Sequence, residues 1–371
     1  MANKKALYSI KYITENGEKM TTVKVKASTN YEIIIGKDIL KNAGELIISA
    51  VGDCRLCIVT DDTVDSLYSS SFCSSAKRCG LNFEKFVIPH GEQSKNSKNL
   101  ISLLEFMAQK EFTRKDCVVA LGGGVVGDLA GFASAVYMRG MRFIQVPTTL
   151  LAAVDSSVGG KTAVDLAAGK NLVGSFHQPS LVICDIRTLD TLSDEIFSDG
   201  YAEVIKYAII NDREMFERLE ALKSKKDDLE RVIADCVSHK ADIVSRDEFD
   251  TGERMLLNLG HTVAHAIEAL SHYTVSHGRA VGIGMAVVTR MSHSLGLCSY
   301  EDSERIHQLL HRSDLCTECT FSAQDLAKIA CADKKRAGDT INLIVPYAIG
   351  DTRTMKIKIN ELASYIEKGL L

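Results

Sequence analysis

Five polar side chains recur through one otherwise apolar stretch. In GERMLLNLGHTVAHAIEAL, residues Arg254, Asn258, His261, His265 and Glu268 follow one another at steps of four, three, four and three. That spacing predicts a single helix over 253–270 with all five on one stripe, while Met255, Leu256, Leu259, Val263, Ala266 and Ile267 clothe most of the rest. Polar groups buried without partners are strongly destabilising, so the stripe must face a metal, a ligand or its own members. His261 and His265, four apart, could share one ion as in zinc proteases. That arrangement needs Glu directly after the first His, and here the position is Thr262, which disfavours a protease. Two more polar sites sit in apolar company: Glu203 with Lys206 in DGYAEVIKYAII, and His277 in SHGRA. One carboxylate with two histidines is a common open catalytic zinc set.

A second constellation surrounds glycine. The apolar run 117–121 leads into Gly122-Gly123-Gly124-Val125-Val126-Gly127-Asp128, and a helical pattern follows over 129–138. Strand, glycine turn and helix start together suit a pyrophosphate, because the backbone can approach closely and the exposed N–H groups favour negative charge. No Asp or Glu stands between Asp128 and Asp155 to hold a ribose, so this is a nucleotide loop of non-standard type. Further on, Lys161 in Asp155-Ser156-Ser157-Val158-Gly159-Gly160-Lys161-Thr162 and Lys170 in Gly169-Lys170-Asn171 place cations among glycines and hydroxyls, as a phosphate grip requires. The GGKT here is not a P-loop, because Asp155 occupies the position that needs glycine.

The elements that must carry these residues read as two domains, which suits a length of 371 residues. Short β-rich runs at 55–60, 83–88, 117–121, 142–146 and 181–184 alternate with helical patterns, the signature of a parallel sheet covered by helices. From about 190 the pattern is almost wholly helical, through 196–211, 218–245, 253–270 and 280–295. The expectation is an α/β, Rossmann-like nucleotide-binding domain over 1–190 and an all-α metal- and substrate-binding domain over 191–371. With 44 Lys+Arg against 48 Asp+Glu and no long single-sign block, the chain lacks the footprint of a general nucleic-acid binder. The longest apolar stretch, 280–288, is about half the ~20 residues of a membrane span, and the N-terminus has no long apolar signal core, so a cytosolic protein is expected. The odd count of 11 cysteines argues for reduced thiols, and the CxxC pairs Cys54/Cys57 and Cys316/Cys319 read as ordinary core or surface thiols.

Taken together, GGGVVGDLAGF (122–132), YMRG (137–140), QVPTTLLAAVDSSVGGKTAVD (145–165), GKNLVGSFHQP (169–179), AEVIKYAII (202–210) and LNLGHTVAHAIEAL (257–270) closely resemble the 3-dehydroquinate synthase family of the shikimate pathway, over about 55–350. The resemblance implies conversion of 3-deoxy-D-arabino-heptulosonate 7-phosphate to 3-dehydroquinate and phosphate by a cytoplasmic homodimer using NAD and a divalent metal, zinc or cobalt. Carried over by position, it implies metal ligands Glu203, His261 and His277, with His265 serving the substrate phosphate or proton transfer instead. It further implies substrate contacts at Lys161, Lys206, Lys240, Arg254, Asn258 and one of Lys334 and Lys335, with Asp155 bordering substrate and nicotinamide and Arg139 reaching a phosphate across the dimer. The implied NAD contacts are Asp61, Glu92, Lys95, Gly123, Gly124, Val125, Val126, Gly127, Asp128, Thr148, Thr149, Lys161, Lys170 and Thr191. The chain departs from the family's habit at His90, often Asp, and at 165–168, often Asn-His-Pro-Leu. A sibling sugar-phosphate cyclase acting on an uncarboxylated substrate and a metal-dependent polyol dehydrogenase are the competing expectations.

Overall fold

In the computed structural model, which describes residues 8–13, 19–332 and 339–370, the apolar runs of the first half become the strands of one sheet. Along the chain these are β1 (Tyr8–Ile13), β2 (Lys19–Val25), β3 (Tyr31–Gly36), β4 (Leu56–Asp61), β5 (Phe83–Ile88), β6 (Cys117–Gly122) and β7 (Arg142–Pro147). A separate antiparallel hairpin, β8 (Lys161–Leu166) and β9 (Gly169–Phe176), precedes β10 (Leu181–Asp185). The sheet order is β1-β2-β3-β10-β7-β6-β4-β5, with β3 through β5 parallel and β1–β2–β3 antiparallel. Side chains alternate faces along a strand, so a run without polar residues fits where both faces are covered. In β6, Val119 and Leu121 pack with Ile58, Ile144 and Ile183 in one hydrophobic layer, while Val118 and Ala120 join Val59, Leu129 and Phe143 in the other.

Two compact units emerge, Met1–Leu192 with Asp228–Phe249, and Ser193–Asp227 with Asp250–Leu371. The return of 228–249 to the first unit has a simple cause. The helix Leu229–Arg246 is amphipathic, and it packs against β2, β3 and the turn Ala152–Ser156. Thr21 Oγ1 donates to Glu230 Oε1 at 2.7 Å at its start, and beyond its end Glu248 accepts from Ser28 N at 2.7 Å and Gln178 Nε2 at 2.9 Å. The helical pattern expected over 218–245 is thus two helices, Arg213–Ala221 and Leu229–Arg246, parted by a turn in which Asp228 adopts a left-handed φ of 53°.

The second unit is built on the helices Asp194–Asn211 and His277–Ser294, both buried along most of their length. It also holds an antiparallel hairpin, β11 (Thr340–Ala348) and β12 (Asp351–Lys358). Two glycine contacts fix how its helices meet. A Cβ on Gly278 would lie 2.0 Å from the Asp199 carbonyl oxygen, so the helix from His277 and the helix from Asp194 touch backbone to backbone there. Gly284 likewise meets the carbonyl of Gly260, itself at φ 77°. That second contact breaks the helix expected over 253–270. Glu253–Asn258 is a 3-10 turn, Leu259 is extended at ψ 124°, and the α-helix runs only from His261 to Leu270. Among the described residues, no helix is long and apolar enough to cross a membrane. All eleven cysteines are free thiols.

Candidate active site

The break at Gly260 makes His261 the first residue of its helix, and His277 is the first residue of the next. Glu203 lies one turn beyond Asp199, the residue that Gly278 touches. Asp199 Oδ1 accepts from Ser276 Oγ at 2.6 Å and from Arg279 N at 2.9 Å, which secures the helix start that bears His277. Glu203, His261 and His277 consequently form the only grouping of potential metal ligands among the described residues, with one donor atom from each all within 4.8 Å of one another. Glu203 Oε1 is 3.6 Å from His261 Nε2 and 3.4 Å from His277 Nε2. Ligand atoms at ~2.05 Å around a tetrahedral zinc ion are about 3.3 Å apart, so the three donors stand where such an ion would need them.

Each histidine turns its other nitrogen to an acceptor. His261 Nδ1 is 3.0 Å from the Leu259 carbonyl oxygen, which can only accept, so Nδ1 carries the proton and Nε2 presents a lone pair. His277 Nδ1 faces Glu268 Oε2 at 3.6 Å. The electrostatics of the pair diverge. Burial, reinforced by the charge of Lys206, pushes His261 down to about 3. Burial alone would lower His277 too, but hydrogen bonding and charge from Glu203 and Glu268 hold it up at about 10. Lys206 is buried against Glu203 Oε2. His265, exposed one turn beyond His261, has its ring centroid 5.5 Å from that of His261 and 6.4 Å from that of His277. It lies beside the triad and outside it. Arg254 is buried and Asn258 exposed, both on the 3-10 turn. Lys335 lies outside the described residues.

In the first unit, the residues expected to hold NAD cluster at the carboxyl ends of the parallel strands. Asp61 ends β4 and accepts from Val64 N at 2.9 Å, Glu92 and Lys95 follow β5, and the glycine turn follows β6. Thr148 and Thr149 follow β7, and Thr191 follows β10 with its hydroxyl against Tyr68. The chain turns outward from β4 to β5 but runs the other way through β6, β7 and β10, so the direction reverses between β4 and β6. Ligands of open parallel sheets bind outside the carboxyl ends at such a reversal. Gly123 starts the helix Gly124–Val136 with no side-chain cap, which leaves the first N–H groups without an acceptor from that residue. Beside it, buried Lys95 meets Glu92 at 3.0 Å, Asp128 at 3.3 Å and Asp165 at 3.8 Å, while Lys170 is 3.7 Å from Glu92. Burial raises Asp128 to about 6 against the pull of Lys95.

The structure also pairs two expected substrate residues with each other: Lys240 Nζ donates to the Asp155 carbonyl oxygen at 2.7 Å and to its carboxylate. Lys161 is exposed at the start of β8. Arg139 is exposed on a turn where it and Met138 both hold positive φ, 66° and 47°. Sequence reasoning missed Asp199, the Leu259 carbonyl and the share of Asp165 in the lysine cluster. None carries a motif signal, since each acts through a contact distant in sequence or through its backbone.

This fold is shared with two kinds of enzyme. A 2-epi-5-epi-valiolone synthase from Streptomyces hygroscopicus, solved with NAD+ and Zn2+ bound, superposes with a TM-score of 0.82 at 25% identity, covering 94% of this chain and 98% of its own. An iron-containing alcohol dehydrogenase superposes at 0.67 with 16% identity, covering 93% and 99%. The fold is therefore the one these two enzymes share, with one α/β unit containing parallel strands and one largely helical unit. Sequence profiles of the N-terminal and C-terminal parts of 3-dehydroquinate synthase match residues 85–199 and 200–336. The 3-dehydroquinate synthase of Clostridium acetobutylicum is 40% identical over 353 residues, spanning 94% of this chain and 99% of that one. The chain belongs to the 3-dehydroquinate synthase family.

Proposed function

We propose that the protein converts 3-deoxy-D-arabino-heptulosonate 7-phosphate to 3-dehydroquinate and phosphate, with NAD used catalytically and a zinc or cobalt ion held by Glu203, His261 and His277. The observation that carries the reading is the intact acid–histidine triad in a chain that matches this family along nearly its whole length. The donor set also fits the ion chemically, with one carboxylate and two Nε2 atoms converging on Glu203, which leaves a fourth position of a tetrahedral ion for substrate. When bound, NAD supplies a reversible hydride acceptor for C5 and the ion an electrophile for the C4 and C5 oxygens.

The chain's own residues divide the remaining work. Asp61, Glu92, Lys95, the turn Gly123 to Asp128, Thr148, Thr149, Lys170 and Thr191 orient the nucleotide at the strand ends. The family resemblance gives Lys161 and, across the dimer, Arg139 to the substrate phosphate, and His265 to that phosphate or to proton transfer. With the nucleotide bound, a C5 ketone would acidify C6–H, and the phosphate so held would take that proton as it leaves. Arg254 and Asn258 serve the carboxylate end, the role the family resemblance also gives Lys240, and Lys206 keeps a cation against Glu203. A bound nucleotide would supply the hydride that restores C5, and ring opening would then free the enolate to add to the C2 ketone and close the carbocycle. In this reading the protein works in the cytoplasm as a homodimer. The exposed, left-handed turn at Met138 and Arg139 is the kind of strained presentation that a contact with another subunit would use.

One consequence concerns protons. His277 holds a proton up to about pH 10 in the ion-free arrangement, whereas His261, lowered to about 3, is neutral at any physiological pH. An ion needs both rings neutral, so its binding at pH 7 to 8 releases about one proton and tightens as pH rises toward the upper value. Calorimetry in buffers of different ionisation enthalpy measures that count, and a value near zero contradicts the assignment. The function itself is tested by incubating the zinc-loaded protein with NAD and the heptulosonate phosphate. Equal yields of phosphate and the carbocyclic keto acid are expected. Turnover only of an uncarboxylated sugar phosphate would assign the chain to a sibling cyclase activity.

A further inference from the structure

Glu268 is the one member of the polar stripe for which the proposed reaction has no use. It lies seven residues after His261 on the same helix, buried, with Val263, Ala264, Ala266 and Ile267 buried around the same turns. A carboxylate in such surroundings is strongly disfavoured unless something compensates its charge. Its Oε2 faces His277 Nδ1 at 3.6 Å, while the opposite nitrogen of that ring faces Glu203 at 3.4 Å. Carboxylate, imidazole and ligand position therefore stand in sequence. The backbone of Glu268 is held in turn, since its carbonyl accepts from Tyr273 N at 2.7 Å and from Ser271 Oγ at 3.1 Å. The two histidines differ in their need for this support. The His261 side chain is 11% exposed and turned by the Leu259 carbonyl, whereas His277 opens a helix and its side chain is 31% exposed, so packing alone constrains its ring less.

We infer that Glu268 is a positioning residue for the metal centre: it takes the Nδ1 proton side of His277, so that Nε2 is the nitrogen aimed at the ion, and its charge makes that imidazole a stronger ligand. A ring shift of about 0.6 Å converts the ion-pair contact into a hydrogen bond. Partners of this kind typically change metal affinity by about 10- to 100-fold. The inference rests on the reading of Glu203, His261 and His277 as metal ligands, and its test separates the two.

Co2+ affinity is measured by chelator competition, with the visible cobalt spectrum recorded alongside, for the full-length wild type, H277A, E268A and E268Q. E268A should bind Co2+ about 10- to 100-fold more weakly with an altered spectrum, and H277A more weakly still. E268Q, which restores an acceptor of the same shape without the charge, should recover part of that loss. If E268A does not fold, E268Q alone decides: weakened binding at an unchanged thermal midpoint supports the inference, and wild-type affinity with a wild-type spectrum overturns it. Equal Co2+ binding by wild type and H277A would remove the metal centre itself. Tight binding by wild type, weak binding by H277A and wild-type behaviour of E268A would remove only the role of Glu268.

Discussion

His261→Ala and Glu203→Ala should each abolish tight metal binding, whereas His265→Ala should keep the ion and lose rate. A bare pair of histidines four residues apart would give equal losses from either histidine, so the contrast discriminates between an i,i+4 metal pair and the triad. The triad draws one donor from each of three helices, and its geometry comes from Gly260 and Gly278 at their close contacts rather than from spacing along one helix. His265 stands one turn further on with its ring exposed, where it can meet a phosphate or pass a proton. Removing one of three protein ligands should cost ~3 to 5 kcal/mol of metal binding, roughly 150- to 5,000-fold, by dividing typical zinc-site free energies among their ligands. Metal analysis of the three purified variants checks this, and a metal-free His265→Ala protein would show the assignment to be wrong.

Arg254→Ala should weaken binding of the carboxylate-bearing substrate far more than binding of NAD. Arg254 is nearly fully buried in the second unit, on the 3-10 turn that precedes His261, while the residues proposed for NAD lie in the first. Its planar fork suits a carboxylate, and loss of a charge-assisted pair in a closed site costs on the order of 2 to 4 kcal/mol, or roughly 30- to 1,000-fold. Calorimetric titration of a non-reacting carboxylate analogue into the NAD-loaded variant measures the effect. Near-wild-type affinity would leave Arg254 as a structural residue and reopen the case for an uncarboxylated substrate.

The parallel strands were legible because continuous apolar runs such as 117–121 fit only a sheet covered on both faces. That a glutamate and histidines share apolar company was legible as an inventory, but spacing pointed to His261 with His265, and the choice of His277 came from the family resemblance. The helix break at Gly260 was not legible. Helical periodicity runs straight through 253–270, and what opposes it is the approach of Gly284, a contact between residues 24 apart. Periodicity marked 218–245 as helical but could neither place the turn before Leu229 nor say which surface would cover the apolar face of Leu229–Arg246. Strand β11 left a short signal in the alternation of buried Ile341 and Leu343 with exposed Asn342, weaker than the helical patterns on either side. The contact between Glu268 and His277 depends on left-handed His272 and Tyr273 reversing the chain between two helices, which no local spacing foretells.

The central claim is that one bound nucleotide is oxidant and reductant in the same turnover. It is tested by supplying the zinc-loaded protein with excess heptulosonate phosphate and NAD well below the substrate concentration, while phosphate release and absorbance at about 340 nm are followed together. Many phosphates released per NAD, with no steady rise in absorbance, is the predicted result. One NADH accumulating for each product molecule would contradict it and make the protein a dehydrogenase.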